Sequence, residues 1–129
     1  MKSISSNFLR LGVLAALVGM SLGAWMGATE TFTLMPVHAH INLLGFASMV
    51  LFGLFYRSFP DAAQGWMPTA HFVMAVLGFL VMVPSLTMLV LGNTAVAPLL
   101  GISSIILVAS MALFVVIVFR ATGAKTVTA

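Results

Sequence analysis

The chain contains no cysteine. That single absence removes disulfide frameworks, thiolate metal sites, iron–sulfur clusters and cysteine nucleophiles together. Charge is almost as scarce. Lys, Arg, Asp and Glu make up 5% of the 129 residues, against about 25% in a soluble domain. Five basic and two acidic side chains cannot cover a water-facing surface of this size, so a soluble globular domain is excluded. Disorder needs the opposite composition, low in hydrophobics and rich in charge, and is excluded as well. The basic residues are scattered and form no stripe, which argues against nucleic acid as a partner. No paired carboxylates, Ser–His–Asp set, phosphate-binding loop or His-Glu-x-x-His motif occurs. Hydrolysis and phosphoryl transfer therefore have no visible machinery, and the chain does not read as an enzyme.

Hydrophobic residues are what the chain has: 62% of the total, with a mean hydropathy of +1.23. A spanning helix needs about 20 mostly apolar residues to cross about 30 Å of hydrocarbon. Four stretches qualify, roughly residues 9–28, 37–56, 68–91 and 95–119. The reading is a single all-α membrane domain over residues 1–129, with four transmembrane helices in an up-down bundle in the lipid bilayer. Pro36, Pro68 and Pro98 suit first helical turns. Gly92-Asn93 reads as a helix stop followed by a tight turn. Asp61 is an N-cap candidate, which would let the third helix start as early as Ala62. Pro84, with Ser85 and Thr87 beside it, predicts a kink in the third span, with hydroxyls available for the freed carbonyls. The tail from Ala121 onward is small and polar and reads as frayed.

Lys2, Arg10, Arg57, Arg120 and Lys125 all fall on one side of this arrangement. The positive-inside rule then places both termini in the cytoplasm. The first apolar run is too long for the core of a secretory signal, and Met26 is a poor fit at a cleavage site. The run is read as a span.

Gly19, Gly23 and Gly27 form a ridge at spacing four in span one, with Gly12 further down. Such a ridge lets two backbones approach closely in lipid. It suits packing against span two or four, a homodimer contact, or the face of a flat macrocycle. Ten methionines are present. Most read as packing residues. Met26 and Met35 lie at the non-cytoplasmic end beside two histidines, where a thioether can ligate haem iron or Cu(I).

His38 and His40 enter the membrane from that side. Two residues apart, they point to opposite faces of a regular helix. The 3.6-residue period predicts one face of His38, Asn42, Gly45, Met49 and Gly53. It predicts another of His40, Leu44, Ala47, Leu51 and Phe55, with His40 turned toward a neighbour or a lipid-filled groove. An imidazole there needs a hydrogen-bond partner, a metal, or water at the membrane edge. Glu30, Met35, His38 and His40 are candidate ligands of a small copper or zinc site. His71 lies on span three, about 10–20 Å from His40 along the membrane normal. That is too far for both to hold one iron. His71 is expected to bond Tyr56, an Asn or backbone, with a cofactor role as the alternative.

The run His40-Ile-Asn42-Leu43-Leu44, followed by Gly53-Leu-Phe-Tyr56, resembles the second helix of the catalytic subunit of bacterial nitric oxide reductases and related haem–copper oxidases. With Pro36-Val-His38 before it, and Ala70-His71-Phe72 and Gly78 after, the block looks like a group of small four-helix proteins described as haem–copper-oxidase or cytochrome-c-oxidase subunit I-like. In that family a His at the start of the second helix is an axial ligand of low-spin haem b. The resemblance implies His40 as iron ligand and His38 as a supporting or alternate one, in a protein of the bacterial inner membrane. Met26, another side chain or a second protomer would supply the other axial position. The resemblance also implies electron transfer or binding of NO or O2. The later helices that carry the family's copper-binding histidines have no counterpart here, so no binuclear reaction centre is expected. A non-catalytic partner or assembly subunit of a respiratory complex is the alternative.

Overall fold

Ser3 opens the first helix by accepting the N–H of Ser6 on its hydroxyl oxygen, at 3.3 Å. This supplies one of the four N–H groups that a helix start leaves without a partner. The structure, a computed structural model, describes residues 3–123. It contains four helices long and apolar enough to cross a membrane: Ile4–Thr29, Met35–Ser58, Trp66–Val90 and Thr94–Gly123. These are spans one to four. Even the 24-residue second span rises about 36 Å, more than the hydrocarbon requires.

The ends differ from the apolar runs for local reasons. Span one starts at Ile4, because the cap at Ser3 fixes it there. Span three does not reach back to Ala62. Pro60–Ala63 is a separate turn of 3-10 helix, and Gly65 at φ 84 breaks the chain before Trp66. Such a φ is open to glycine at no steric cost. Asp61 caps nothing with its side chain; its carbonyl accepts the N–H of Gln64. The turn after span three does run through Gly92, at φ 99, and the side-chain oxygen of Asn93 accepts the N–H of Ala95. Span four continues helical through Ala121 and Gly123. Lys2, Lys125 and the rest of the tail lie outside the described residues.

Span three runs unbroken through Pro84. Ser85 and Thr87 do not serve the carbonyl of Leu80 that Pro84 leaves free. Each hydroxyl donates to the carbonyl four residues before it, Val81 and Val83, at 2.7 Å.

Spans one and two form one antiparallel hairpin, and spans three and four the other. The Ser5 hydroxyl donates to the carbonyl of Gly53 at 2.9 Å. The Arg120 guanidinium donates to the sulfur of Met67 at 3.2 Å. Both ends of the described chain therefore lie at the same end of the bundle. There Ile4, Phe8, Met49, Phe52, Tyr56, Ala75 and Ile117 make one core cluster. Ala15, Val37, Ile41 and Leu86 make a second toward the other end. The outside is apolar: Ile105 and Val108 are 71% exposed and Phe119 74%. Exposed apolar surface on that scale suits contact with acyl chains, not water.

The glycine ridge is used inside the chain. A Cβ on Gly12 would meet Val50 Cγ2 at 2.7 Å, one on Gly19 the Asn42 amide at 2.7 Å, and one on Gly23 His38 Cε1 at 2.7 Å. Span two covers this face, so these three glycines offer nothing to a second protomer or a macrocycle. Gly27, with nothing within 4 Å, stands open. Gly23→Ala should destabilise the bundle by about 1–3 kcal/mol, the usual cost of overpacking. Gly27→Ala should leave it unchanged. Thermal unfolding of the two variants in one detergent measures the contrast.

Candidate functional site

All three histidines lie on the helical spans, and each ring is held differently. His38 sits against span one. Its Nδ1–H donates to the carbonyl of Gly19 at 2.8 Å. The Asn42 side-chain amide donates back to the carbonyl of His38, also at 2.8 Å. His38 and Asn42 therefore occupy the room that the missing side chains of Gly23 and Gly19 leave. The ring joins spans one and two.

His40 bonds within its own helix. Its Nδ1–H donates to the carbonyl of Pro36 at 2.7 Å. That contact fixes the tautomer, because a carbonyl can only accept. It leaves Nε2 as a lone pair. A ring nitrogen whose partner is tied to a backbone carbonyl is the form in which histidine ligates metals.

Immediately after His40 the helix widens. Ile41–Ala47 is π-helical, and at its end both the backbone N–H and the hydroxyl of Ser48 turn to the carbonyl of Leu43, five residues back. Such insertions frequently mark functional sites. The wide turn changes which side chains share a face. In a regular helix twelve residues advance three turns and about 120° more. Val37, Ile41, Gly45 and Met49 nonetheless stay together on the buried side, four residues apart. The face of His40 and Leu44 likewise continues through Ser48 and Phe52. It does not continue through Ala47 and Leu51, as the 3.6-residue period predicts; Leu51 is 64% exposed.

His40, Leu44, Ser48 and Phe52 line one wall of a cleft of about 330 Å3. Span four forms the other wall, with Ser104, Val108 and Met111, and span three closes the back with Ala75 and Met82. The lining is apolar apart from His40 and three serine hydroxyls. Those hydroxyls already donate to the carbonyls of Leu43, Leu100 and His71. Three thioethers, Met49, Met82 and Met111, lie on the walls. A second cleft of about 280 Å3 opens between spans one and three and is lined by Leu14, Gly45, Phe79 and Pro84. Met49 lines both.

His71 is fully buried. Its Nδ1 is 2.9 Å from the Tyr56 hydroxyl. The rings of Phe52 and Phe114 lie 4.5 and 4.9 Å from it, the second stacked at 20°, and Phe8 lies at 5.2 Å. All four spans thus meet on this ring. The phenol donates to Nδ1, since the reverse direction would leave both the phenol hydrogen and the Nε2 lone pair without partners. Nε2 then carries a hydrogen. It has no oxygen or nitrogen partner among the described residues, and the rings of Phe8, Phe52 and Phe114 pack around the imidazole.

The remaining candidates stand apart. Met26 is buried in span one, its carbonyl accepting the N–H groups of Glu30 and Thr31. It does not line the cleft of His40. Glu30 is exposed in left-handed backbone at the end of span one, and Met35 is 45% exposed. His38 and His40 lie on one regular turn of helix, facing span one and the cleft respectively. Among the described residues no three His, Asp or Glu side chains gather closely enough to hold a metal ion. The residues turned His40 toward a neighbour or a groove, as found, but no pattern announced the π turn or the side chains it brings to the cleft.

No family model, curated protein or solved structure matches the chain. The likeness to haem–copper oxidases rests on the motif residues of spans two and three alone.

Tyr56→Phe should cost about 1–3 kcal/mol, because it strands the buried Nδ1 of His71. Adding His71→Leu should recover part of that loss, since the second substitution removes the stranded nitrogen. Unfolding of the two single variants and the double variant, taken as a cycle, measures the coupling.

Proposed function

We propose that the chain is a haem b-binding protein of the bacterial inner membrane, with both termini cytoplasmic, serving electron transfer or the binding of NO or O2. One observation carries this reading. His40 presents a lone pair on Nε2 at an apolar cleft between spans, with its other nitrogen held by the carbonyl of Pro36 at 2.7 Å. The donor set fits the group. Imidazole nitrogen and thioether sulfur are both known ligands of haem iron. At about 330 Å3 the cleft is at the small end of ligand sites, which run from about 300 to 1,000 Å3.

Were haem held by His40, it would supply a one-electron couple or a site for a small gas. The chain's own residues do the rest. His40 provides the nitrogen and Pro36 orients it. Met49, Met82 and Met111 provide soft donors in the same cleft. Leu44, Leu107 and Val108 exclude water. His38 is assigned to joining spans one and two, which leaves the ligand role to His40. Arg10, Arg57 and Arg120 lie at the end of the bundle that holds the termini, which supports the cytoplasmic placement.

A second reading, as a partner subunit of a respiratory membrane complex, has its own support. Span four has the least buried apolar window of the four, at 17%, and Gly101 meets nothing within 4 Å. A neighbouring helix would cover that face. The copper or zinc reading is not carried further, since its ligands do not come together.

Purified protein made with ample haem should show a sharp Soret band, with narrow α and β bands after dithionite. His40→Ala should abolish the six-coordinate spectrum. His38→Ala should keep the bands while lowering the unfolding temperature. A flat spectrum, or one indifferent to His40, overturns the haem reading. Reporter fusions at the two termini should both report the cytoplasm; a periplasmic signal from either overturns the orientation.

A further inference from the structure

A further cavity lies away from the histidines, at the end of the bundle that holds the ends of the described chain. It measures about 430 Å3 and lies between the turn that precedes span three and the last turns of span four. Asp61 and Gln64 line it from the turn, Trp66 and Met67 from the start of span three, and Ile117 and Arg120 from span four. With the four helices placed across a bilayer, this end of the bundle lies near the headgroups. Trp66, 72% exposed, has the amphipathic ring that settles at headgroup level.

The electrostatics of this cavity are unusual for so uncharged a chain. Arg120 carries one of five basic charges in the sequence and Asp61 one of two acidic charges. Both line the same space. A guanidinium has five N–H donors arranged for a phosphate or carboxylate. The partner of Arg120 among the described residues is a thioether, Met67 Sδ at 3.2 Å, a weak acceptor for a charged donor. The cavity therefore offers a cation for an anion at Arg120 and a carboxylate for a cation at Asp61. Below it, the exposed Val115, Val116 and Phe119 of span four continue as an apolar surface.

We infer that this cavity binds the headgroup of a phospholipid whose phosphodiester carries a primary ammonium, a phosphatidylethanolamine. The phosphate meets Arg120, the ammonium meets Asp61, and the acyl chains lie along span four. Charge complementarity selects this lipid. An uncharged glycerol headgroup gives Asp61 nothing, and a trimethylated ammonium cannot donate hydrogen bonds to it. The inference needs only the membrane placement of the helices and is independent of haem.

The test is native mass spectrometry of full-length protein in detergent, with phosphatidylethanolamine, phosphatidylcholine or phosphatidylglycerol of identical acyl chains added in turn. Wild-type protein should retain phosphatidylethanolamine over the other two by about tenfold, the scale of one charge-assisted contact. Asp61→Asn should erase the preference over phosphatidylcholine while retaining both lipids. Arg120→Gln should lower retention of all three. Both side chains are exposed, so neither variant removes core packing. Equal retention of the three lipids by wild type, or an unchanged lipid ratio in Asp61→Asn, overturns the inference. Competition by water-soluble glycerophosphoethanolamine at the same concentration as the lipid would also overturn it, by showing a site for the free headgroup.

Discussion

The hydrogen bond from His38 to the carbonyl of Gly19 is the contact on which the membrane half of this structure depends. Helices in lipid gain nothing from hiding apolar surface, since the acyl chains are as apolar as leucine. They hold together where backbones come close and polar groups pair. Gly19 and Gly23 give up their side chains, and the His38 ring and the Asn42 amide fill the space. That lock sets the rotation of span two about its own axis. With His38 committed to span one, His40 two residues later is turned away from it, toward spans three and four.

The wide turn then keeps that orientation along the helix. Ser48 supplies a second donor to the carbonyl of Leu43, where a regular helix would have moved on by one residue. Val37, Ile41, Gly45 and Met49 stay buried, while His40, Leu44, Ser48 and Phe52 stay on the cleft. One local irregularity therefore decides both what packs and what is presented. At the other end, the His71 ring does for the whole bundle what His38 does for one pair of spans, with Tyr56 on Nδ1 and aromatic rings from spans one, two and four around it.

Much of this was legible in the residues. Apolar runs announce four spans, because a 20-residue stretch without charge has one stable use. Gly92-Asn93 announces its turn. The bond between His71 and Tyr56 was among the expected partners, since a buried imidazole must find a polar group nearby. The helix ends were less legible, because a cap such as Ser3 or a break such as Gly65 outweighs hydropathy at the boundary. The face of His38 held through Met49 and Gly53, while that of His40 was misjudged past Leu44. A period of 3.6 cannot show where a hydroxyl will hold a turn open. The proposed ligand set was dispersed for a related reason: nearness in sequence on a helix turn places His38 and His40 apart, and Glu30 on the far side of a chain reversal.

Met49 lines the cleft beside His40 and the cleft between spans one and three. It is 2% exposed and belongs to the main core cluster. The side chain that the two clefts share is unbranched and turns about three bonds. A branched residue there would be a wall. A methionine can yield, so the shape of one cleft depends on what fills the other.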